Sequence, residues 1–291
     1  MSKQQVFRFA PSPNGELHLG HAYSALVTDD MARRARGRFL LRIEDVDGGR
    51  ARDEYVDQIY EDLRWLGLQW ETPVWKQSEH MENYAVALAK LKKLDLLYPC
   101  FASRREISEH SLTRTMPLTP DGFPIYPGIY RGYSRSRAAA RVAAGDPHTL
   151  RLDIKKAMAA ATEKTGDISF CERQKDGSYR PVITDPTAWG DPVLARRETP
   201  TSYTLAVVVD DALQGVTHVT RGEDLYEATG LQRLLQVLLD LPEPRYFHHP
   251  LLVDMTGRKL SKSHGETSLR SIRATGISVE ELCLQLPPLL F

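Results

Sequence analysis

Val6-Phe7-Arg8-Phe9-Ala10 is followed by the loop Pro11-Ser12-Pro13-Asn14-Gly15 and, three positions later, by His18-Leu19-Gly20-His21. The first segment is a short apolar run, which predicts a β-strand. After the loop, a helical pattern runs from residue 19 to about 36, and Gly37 is a typical helix end. A second strand is predicted at 39–43. The order strand, helix, strand predicts a βαβ unit and the start of a parallel sheet.

The histidine tetrapeptide predicts a binding site for nucleotide phosphates. His18 and His21 are three positions apart, so they lie on one face of the first helical turn. A helix N-terminus presents unpaired N–H groups and a positive dipole to an anion. Gly20 removes the side chain that would keep a nucleotide away from the backbone.

A second segment, Lys259-Leu260-Ser261-Lys262-Ser263, supports this interpretation. It follows an apolar run and a turn signal, so we expect its lysines on a loop. Their ammonium groups can stabilise the charge that develops when a phosphorus atom is attacked and pyrophosphate leaves. Alone, such a segment is usually a solvated loop. Combined with the helix start at His18, it predicts a site that handles ATP phosphates.

Composition indicates a folded, non-membrane protein. The chain has 291 residues, 42% of them hydrophobic, and equal numbers of basic and acidic side chains, 38 each. An RNA partner would therefore have to bind a local basic patch. The three cysteines are widely spaced, as in reduced cytosolic proteins. We find no signal peptide and no apolar run of membrane-spanning length, so we expect a cytoplasmic protein.

The pattern of regular elements breaks up between residues 99 and 197. This stretch is rich in proline, with a short helix predicted near 135–144 and strands near 149–154 and 179–183. It therefore reads as a subdomain inserted after a first catalytic half at 1–98.

A second catalytic half is predicted at 198–250. Its apolar run at 205–209 is typical of a buried parallel strand, and a helix is predicted at 225–239. Residues 251–291, which contain the lysine segment, form the last predicted region.

Six blocks of this sequence resemble, in the same order, the catalytic core of class I glutamyl-tRNA synthetases. They are residues 8–15, 18–21, 41–45, 205–211, 221–225 and 259–263. Only 28 residues follow Ser263, whereas enzymes that charge tRNA continue into a large helical anticodon-binding region. The chain therefore resembles the glutamyl-queuosine tRNA(Asp) synthetase family, whose members attach glutamate to the modified wobble base queuosine.

The resemblance implies an α/β fold. We expect a Rossmann-type parallel sheet of the class I synthetases, an inserted α+β subdomain at 99–197 and a short stem-contact region at 251–291. It also implies ATP with Mg²⁺ on its phosphates as cofactor, and L-glutamate and queuosine-bearing tRNA(Asp) as partners. A monomer that does not bind membranes is expected.

The resemblance further implies a set of glutamate-binding residues: Arg8, Ala10, Ser12, Glu44, Tyr203 and Arg221. Arg8 matches the arginine that holds the side-chain carboxylate of the substrate, a task that suits a bidentate guanidinium. Glu44 ends a buried strand and needs a partner. The family suggests the substrate ammonium group; a salt bridge with Arg42 or Arg8 is the alternative. Asp224 is interpreted as a helix N-cap.

ATP is expected at His18, Gly20, His21 and Lys262. Lys259, Lys262, His18 and His21 are the expected catalytic residues. In the predicted reaction, the glutamate α-carboxylate attacks the α-phosphorus and forms glutamyl-adenylate. A queuosine hydroxyl then attacks the activated carbonyl group, without a covalent enzyme intermediate.

The insertion departs from the queuosine-specific family. Many members hold zinc with a Cys-x-Cys pair, a tyrosine and a cysteine four positions later. This chain has Cys100, Ala102, Tyr126 and Tyr130 in that pattern. Cys100 and Tyr126 are remnants of the site and are too few for a tetrahedral ion, so we predict no zinc site. Distant histidines, His110 or His148, could in principle replace the missing ligands.

Three alternative functions stay open at this point. A truncated glutamyl-tRNA synthetase would charge tRNA(Glu). A non-catalytic, RNA-binding synthetase paralogue would keep the fold, although both signature histidines and both loop lysines persist here. Another nucleotidyltransferase with His-x-Gly-His would share the helix start but not Arg8, Glu44 and the lysine segment together.

Overall fold

The computed structural model describes residues 4–112, 116–252 and 268–288. The strands in these ranges are β1 Val6–Phe9, β2 Arg38–Ile43, β3 Trp75–Lys76, β4 Leu97–Cys100, β5 Thr149–Leu152, β6 Ser169–Arg173, β7 Tyr179–Ile183, β8 Val193–Ala195, β9 His218–Gly222 and β10 Arg245–His249. The α-helices are α1 Leu19–Arg34, α2 Asp53–Trp65, α3 Met81–Lys93, α4 Arg104–Leu112, α5 Arg135–Ala143, α6 Ile154–Thr165, α7 Tyr203–Leu213, α8 Tyr226–Leu239, α9 Leu269–Ala274 and α10 Val279–Gln285.

The main sheet of the described chain has seven strands in the order β3-β2-β1-β9-β10-β6-β7. All neighbouring pairs are parallel except β6 and β7, which form an antiparallel edge. The predicted βαβ unit is confirmed, because β1 and β2 pair in parallel around α1 with Val6 opposite Arg38. The predicted α/β fold with a mostly parallel sheet is therefore confirmed.

The stretch 99–197 contributes strands to both sheets found in the described residues. Strand β5 pairs with β4 and β8 in a small antiparallel sheet, separate from the main one. Strands β6 and β7 instead extend the main sheet beyond β10. The insertion is thus joined to the catalytic sheet by backbone hydrogen bonds, while its domain boundaries stay a prediction.

The predicted strand at 205–209 is wrong, because these residues lie in α7. Ser202 caps this helix by accepting a hydrogen bond from the backbone N–H of Leu205. Every residue from 205 to 211 is buried, since α7 packs against α3 and α8. A short helix buried on all sides has the same continuous apolar run as a buried strand. The strand that pairs with β1 on the side opposite β2 is β9.

Apolar clusters cover both faces of the main sheet. Phe7 and Phe9 of β1 face a cluster formed with α1, α2, α9 and α10. Helices α3, α6, α7 and α8 form a second cluster. Because both faces are covered, Arg8 is 4% exposed although it points away from its aromatic neighbours. Among the described helices, none has the length and apolar character needed to cross a membrane.

Candidate active site

A pocket of about 440 Å³ lies at the carboxyl ends of β1, β9 and β10, beside the start of α1. Ligands of parallel α/β sheets bind at this edge. Every glutamate- or ATP-binding residue predicted within the described ranges lines it: Arg8, Ala10, Ser12, His18, Gly20, His21, Glu44, Tyr203 and Arg221. The predicted catalytic lysines, Lys259 and Lys262, lie outside the described residues.

His18 and His21 form a reciprocal cap at the start of α1. His18 Nδ1 accepts a hydrogen bond from the backbone N–H of Gly20 at 3.0 Å, and His21 Nδ1 accepts from the backbone N–H of His18 at 3.2 Å. The two ring centroids are 3.9 Å apart. Because each Nδ1 accepts, each neutral ring carries its proton on Nε2. The start of α1 therefore carries two Nε2–H groups that can donate hydrogen bonds, one from each histidine.

Gly20 also makes room for the His18 ring. A Cβ atom at position 20 would lie 2.9 Å from His18 Cε1 and 3.1 Å from its Nδ1. Carbon atoms do not approach this closely without displacement. The glycine is therefore required by the cap itself, in addition to the nucleotide access that the sequence indicated.

Arg8 is held by a buried carboxylate that the sequence analysis gave no role. Its Nε donates to Asp211 Oδ1 at 3.1 Å, and the same oxygen accepts from Arg42 Nη1 at 2.8 Å. Burial pushes the pKa of Asp211 upward, but Arg8 and Arg42 outweigh it and hold the pKa below its ordinary value. Asp211 is thus ionised and fixes Arg8 at the wall of the pocket.

Glu44 is buried beside the same group. Its Oε1 lies 3.3 Å from Arg42 Nη2, so the structure shows the salt bridge that was the alternative interpretation. The residue still lines the pocket and can meet a ligand. Burial raises the pKa of Glu44, and Arg42 and Arg8 offset only part of that rise. A cationic ligand group would complete the compensation of this carboxylate.

Asp210, the neighbour of Asp211, has a different environment. Its carboxylate accepts hydrogen bonds from Trp75 Nε1 at 3.1 Å, Gln77 Nε2 at 2.7 Å and Tyr84 Oη at 2.9 Å. It does not line the pocket. The two consecutive aspartates therefore serve different purposes: Asp210 ties α7 to the loop after β3 and to α3, and Asp211 ties it to Arg8.

Arg221 is a buried cation that lines the pocket and is 5% exposed. Its three nitrogens donate to neutral partners: Nε to His248 Nε2 at 3.1 Å, Nη1 to Gln232 Oε1 at 2.8 Å and Nη2 to Thr229 Oγ1 at 2.7 Å. Within the described part of the chain, no carboxylate lies within ion-pair distance of it. Arg221 differs in this respect from Arg8, whose charge Asp211 compensates.

Tyr203 and Ser12 join the pocket to a smaller neighbouring cavity of about 100 Å³, and both line the two spaces. Tyr203 is the first residue of α7 and is 36% exposed. The side chain lines the pocket, although the residue begins a helix and does not precede a strand as predicted. Ala10 lines the main pocket directly after β1.

The interpretation of Asp224 as a helix N-cap is wrong. A short 3-10 turn, Glu223–Leu225, precedes α8, so the helix begins two residues later than Asp224. The N-cap positions are Gly222 for the turn and Leu225 for the helix, and no side-chain cap is formed at either. Asp224 instead lines the pocket.

Cys100 and Tyr126, which the family resemblance identified as remnants of a zinc site, contact each other directly. The Cys100 thiol donates to Tyr126 Oη at 3.2 Å, and the same oxygen accepts the backbone N–H of Tyr130 at 2.9 Å. Burial and the hydrogen bond from Cys100 raise the pKa of Tyr126, which opposes the ionisation that a metal ligand needs. Over the described ranges, no group of three or more His, Cys, Asp or Glu residues could hold a metal ion. These residues do not fit zinc.

The α/β fold with a mostly parallel sheet is that of a class I synthetase core, and comparison with known families agrees. A family model described as "tRNA synthetases class I (E and Q), catalytic domain" matches residues 5–284. The chain belongs to this family. The resemblance inferred from six sequence blocks is therefore confirmed, and with it the assignment to ATP-using ligases.

Individual relatives refine this assignment. A protein of Rhodobacter capsulatus named glutamyl-Q tRNA(Asp) synthetase is 46% identical, and the match covers 95% of this chain and 98% of the relative. One of Symbiobacterium thermophilum with the same name is 42% identical, covering 94% and 82%. Glutamate–tRNA ligase 2 of Nitrosococcus oceani is 38% identical, covering 95% and 57%.

A solved structure shows the same fold. The glutamate-tRNA synthetase of Elizabethkingia anophelis superposes with a TM-score of 0.72 at 23% sequence identity. The match covers 94% of this chain and 54% of the solved chain. The similarity of fold extends over the pocket and the insertion together.

Proposed function

We propose that this chain uses ATP to activate L-glutamate as glutamyl-adenylate and then transfers the glutamate to queuosine at the wobble position of tRNA(Asp). One observation carries the first step. A buried arginine without a carboxylate partner among the described residues shares a pocket with the capped helix start at His18 and His21. The pocket thus offers one end to a carboxylate and the other to phosphates.

Arg221 and Arg8 bind the side-chain carboxylate of glutamate. A buried charge is costly unless it is paired, so Arg221 favours an anionic ligand over a neutral one. Arg8 uses Nε on Asp211 and Nη1 on the backbone oxygen of Thr220. Its Nη2, which has no hydrogen-bond partner within the described chain, donates to the side-chain carboxylate of glutamate. Glu44 binds the α-ammonium group, which matches its need for a second cation.

The helix start binds the phosphates of ATP. The Nε2–H groups of His18 and His21 donate to phosphate oxygens, and the N-terminal dipole of α1 favours the negative charge. Magnesium prefers oxygen ligands, which the imidazoles lack, so Mg²⁺ would be held by the ATP phosphates and would neutralise part of their charge there. Lys259 and Lys262, outside the described ranges, are assigned to the departing pyrophosphate.

The reaction then follows in two steps. An oxygen of the glutamate α-carboxylate bonds to the α-phosphorus as the bond to the bridging oxygen of pyrophosphate breaks. In the second step a hydroxyl oxygen of queuosine bonds to the activated carbonyl carbon, the hydroxyl proton is lost and AMP leaves. The enzyme positions the reactants and stabilises charge, and no side chain forms a covalent intermediate.

The choice of acceptor rests on the relatives and on the insertion. Two of the relatives described above are more than 40% identical to this chain, and both are named glutamyl-Q tRNA(Asp) synthetase. Arginine side chains are exposed on α4 and α5, among them Arg104 and Arg137. Exposed arginines can contact the RNA backbone, although Arg105 and Arg135 of these helices are paired with Glu109 and Asp95 in the structure.

The first step is tested by exchange of labelled pyrophosphate into ATP in the absence of RNA. Exchange should depend on L-glutamate. Glutamine should be a poor substrate because it leaves the Arg221 charge unpaired, at a cost of about 1.5–3 kcal/mol. Aspartate, one methylene shorter, is the matched anionic control. Exchange that requires tRNA, or that prefers glutamine, contradicts the proposed site.

A further inference from the structure

Arg221 donates to three side chains that do not line the pocket, and one of them, His248, connects it to a buried carboxylate. Its Nε donates to His248 Nε2 at 3.1 Å, and His248 Nδ1 lies 2.8 Å from Glu172 Oε2. The side chains of His248 and Glu172 are 2% and 10% exposed. A chain of buried contacts therefore leads from β6 through β10 to the arginine on β9.

The proton positions in this series of hydrogen bonds follow from the chemistry of the guanidinium, imidazole and carboxylate groups. A guanidinium only donates hydrogen bonds, so His248 must accept at Nε2. A carboxylate only accepts, so His248 must donate from Nδ1 to Glu172. The ring is thus neutral and held in a single tautomer. Burial lowers the pKa of His248, and the hydrogen bond to Glu172 offsets only part of that effect, which agrees with a neutral ring.

Glu172 uses both of its oxygens on the same residue. Oε2 accepts from His248 Nδ1, and Oε1 accepts the backbone N–H of His248 at 3.0 Å. An amide in this place has one accepting atom and one donating group, so it cannot satisfy both donors. Only a carboxylate fixes the ring and the backbone of β10 together.

We infer that Glu172 and His248 form a relay that positions Arg221 for the substrate carboxylate. The inference rests on the proposed role of Arg221 in binding glutamate. His248 Nε2 accepts the hydrogen bond that orients Arg221 Nε, and this neutral acceptor does not neutralise the charge of the arginine. Glu172 accepts the proton on His248 Nδ1 and thereby keeps Nε2 unprotonated and able to accept. Because Glu172 lies in β6, a strand of the stretch predicted as an insertion thereby sets the geometry of the glutamate site.

Two substitutions of His248 separate its contacts. In His248→Gln, the amide oxygen can replace Nε2 as the acceptor for Arg221. In His248→Asn, the shorter amide can replace Nδ1 as donor to Glu172 but cannot reach Arg221. We expect His248→Asn to raise the glutamate KM about tenfold or more and His248→Gln by at most about threefold. The ATP KM should change less than about twofold in both.

Glu172→Gln changes the acceptor that fixes the tautomer of His248, and Glu243→Gln is its matched control. Glu243 likewise accepts one backbone N–H, that of Cys171 in β6 at 2.9 Å, and it pairs with Arg233, but no contact joins it to His248 in the described chain. Glu172→Gln should raise the glutamate KM about fivefold to tenfold. Glu243→Gln should leave it unchanged. Histidine ¹⁵N NMR adds a readout without substrate: His248 should carry its proton on Nδ1 in the native chain and lose that state in Glu172→Gln.

The outcomes separate the relay from the proposed site. Arg221→Lys should raise the glutamate KM; if it does not, the ligand role of Arg221 fails. If Arg221→Lys raises it while His248→Asn and His248→Gln behave alike, the relay alone is overturned. A native His248 protonated on Nε2, or equal changes in the KM values for ATP and glutamate, also overturns the relay.

Discussion

Arg8 and Asp211 are 203 positions apart in the chain, and their side chains meet across 3.1 Å. Both are buried, and the same Asp211 oxygen also holds Arg42. One carboxylate oxygen thus joins β1, β2 and α7 at the wall of the glutamate pocket. The orientation of Arg8 is set by this contact before any ligand binds, which is how a site avoids reorganisation during binding.

Asp211→Asn should raise the glutamate KM about tenfold or more, with little change in the ATP KM. The substitution removes the charge that compensates two buried arginines and places an amide N–H against one of them. Pyrophosphate exchange at varied glutamate and varied ATP measures both constants. Thermal unfolding should show a lower Tm, because the buried network loses its central anion.

Asp210→Asn is the matched control for this experiment. The residue is adjacent and equally buried, but it holds Trp75, Gln77 and Tyr84 and has no hydrogen bond to an arginine of the described chain. It should lower the Tm without raising the glutamate KM. If the two variants change the glutamate KM equally, Asp211 acts on stability alone and its positioning role is wrong.

Gly20→Ala should impair the use of ATP more than the binding of glutamate. The new methyl group would meet His18 Cε1 at 2.9 Å and displace the ring from its cap. We expect exchange at saturating glutamate to fall by about tenfold or more, since two phosphate donors lose their geometry. Gly48→Ala is the control, because a Cβ there meets nothing within 4 Å. Normal ATP kinetics in Gly20→Ala would show that the cap does not position the phosphates.

The sequence predicted the parts of the site that local patterns encode. The histidine pair and Gly20 follow from one strand, one loop and one helix start, whereas Arg8 was implied by the family resemblance, and the structure brings all of them to one pocket. Asp211 and His248 could not be assigned in this way. Their partners are distant in sequence, and an aspartate at the end of an apolar run or a histidine in a strand has no local feature that names its contact. The pair Asp210-Asp211 in a buried run was the available signal.

The misassigned strand at 205–209 has a related cause. Five consecutive apolar residues predict burial on all sides, but not the period of the backbone that carries them. Ser202, a favourable N-cap residue, is the local feature that indicates a helix start here. Likewise, backbone pairing of β6 with β10 depends on the completed sheet, so no local pattern placed this part of the insertion beside Arg221.

Zinc should be absent in stoichiometric amounts from the purified protein. Cys100 and Tyr126 satisfy each other, Ala102 has no lone pair, and the pKa of Tyr126 is raised. Elemental analysis measures the zinc content, and activity should survive a chelator once Mg²⁺ is restored. One zinc per chain that is lost in Cys100→Ala would show that the site has been rebuilt from other ligands, and would contradict this interpretation.

Asp62→Asn should stabilise the protein at neutral pH. Burial raises the pKa of Asp62 from 3.8 to about 6, and Arg273, 3.7 Å away, offsets only part of this. Because the folded state binds the proton more tightly than the unfolded state, the ionised carboxylate lowers stability above pH 6. Asp62→Asn should raise the free energy of unfolding by about 1–3 kcal/mol at pH 7.5, and this increase should shrink as the pH falls from 6 to 4.

Thermal unfolding at several pH values checks this sign, with Asp240→Asn as the opposite case. Hydrogen bonds from Lys90 and Lys164 lower the pKa of Asp240 to about 2, so its charge favours the folded state above the ordinary carboxyl pKa. That variant should have an unchanged or lower Tm at neutral pH. A lower Tm for Asp62→Asn at pH 7.5 would mean that the contact with Arg273 outweighs the cost of burial.

The acceptor of the activated glutamate distinguishes queuosine modification from the charging of tRNA(Glu), and a transfer assay on three RNAs identifies it. Transfer of labelled glutamate from ATP-activated enzyme is compared on tRNA(Asp) with queuosine, the same tRNA(Asp) with unmodified guanosine, and tRNA(Glu). We predict transfer to queuosine-bearing tRNA(Asp) alone, through a bond to the wobble nucleoside. Transfer to the 3′ end of tRNA(Glu), with none to queuosine, would contradict the account and identify the chain as a tRNA(Glu)-charging enzyme.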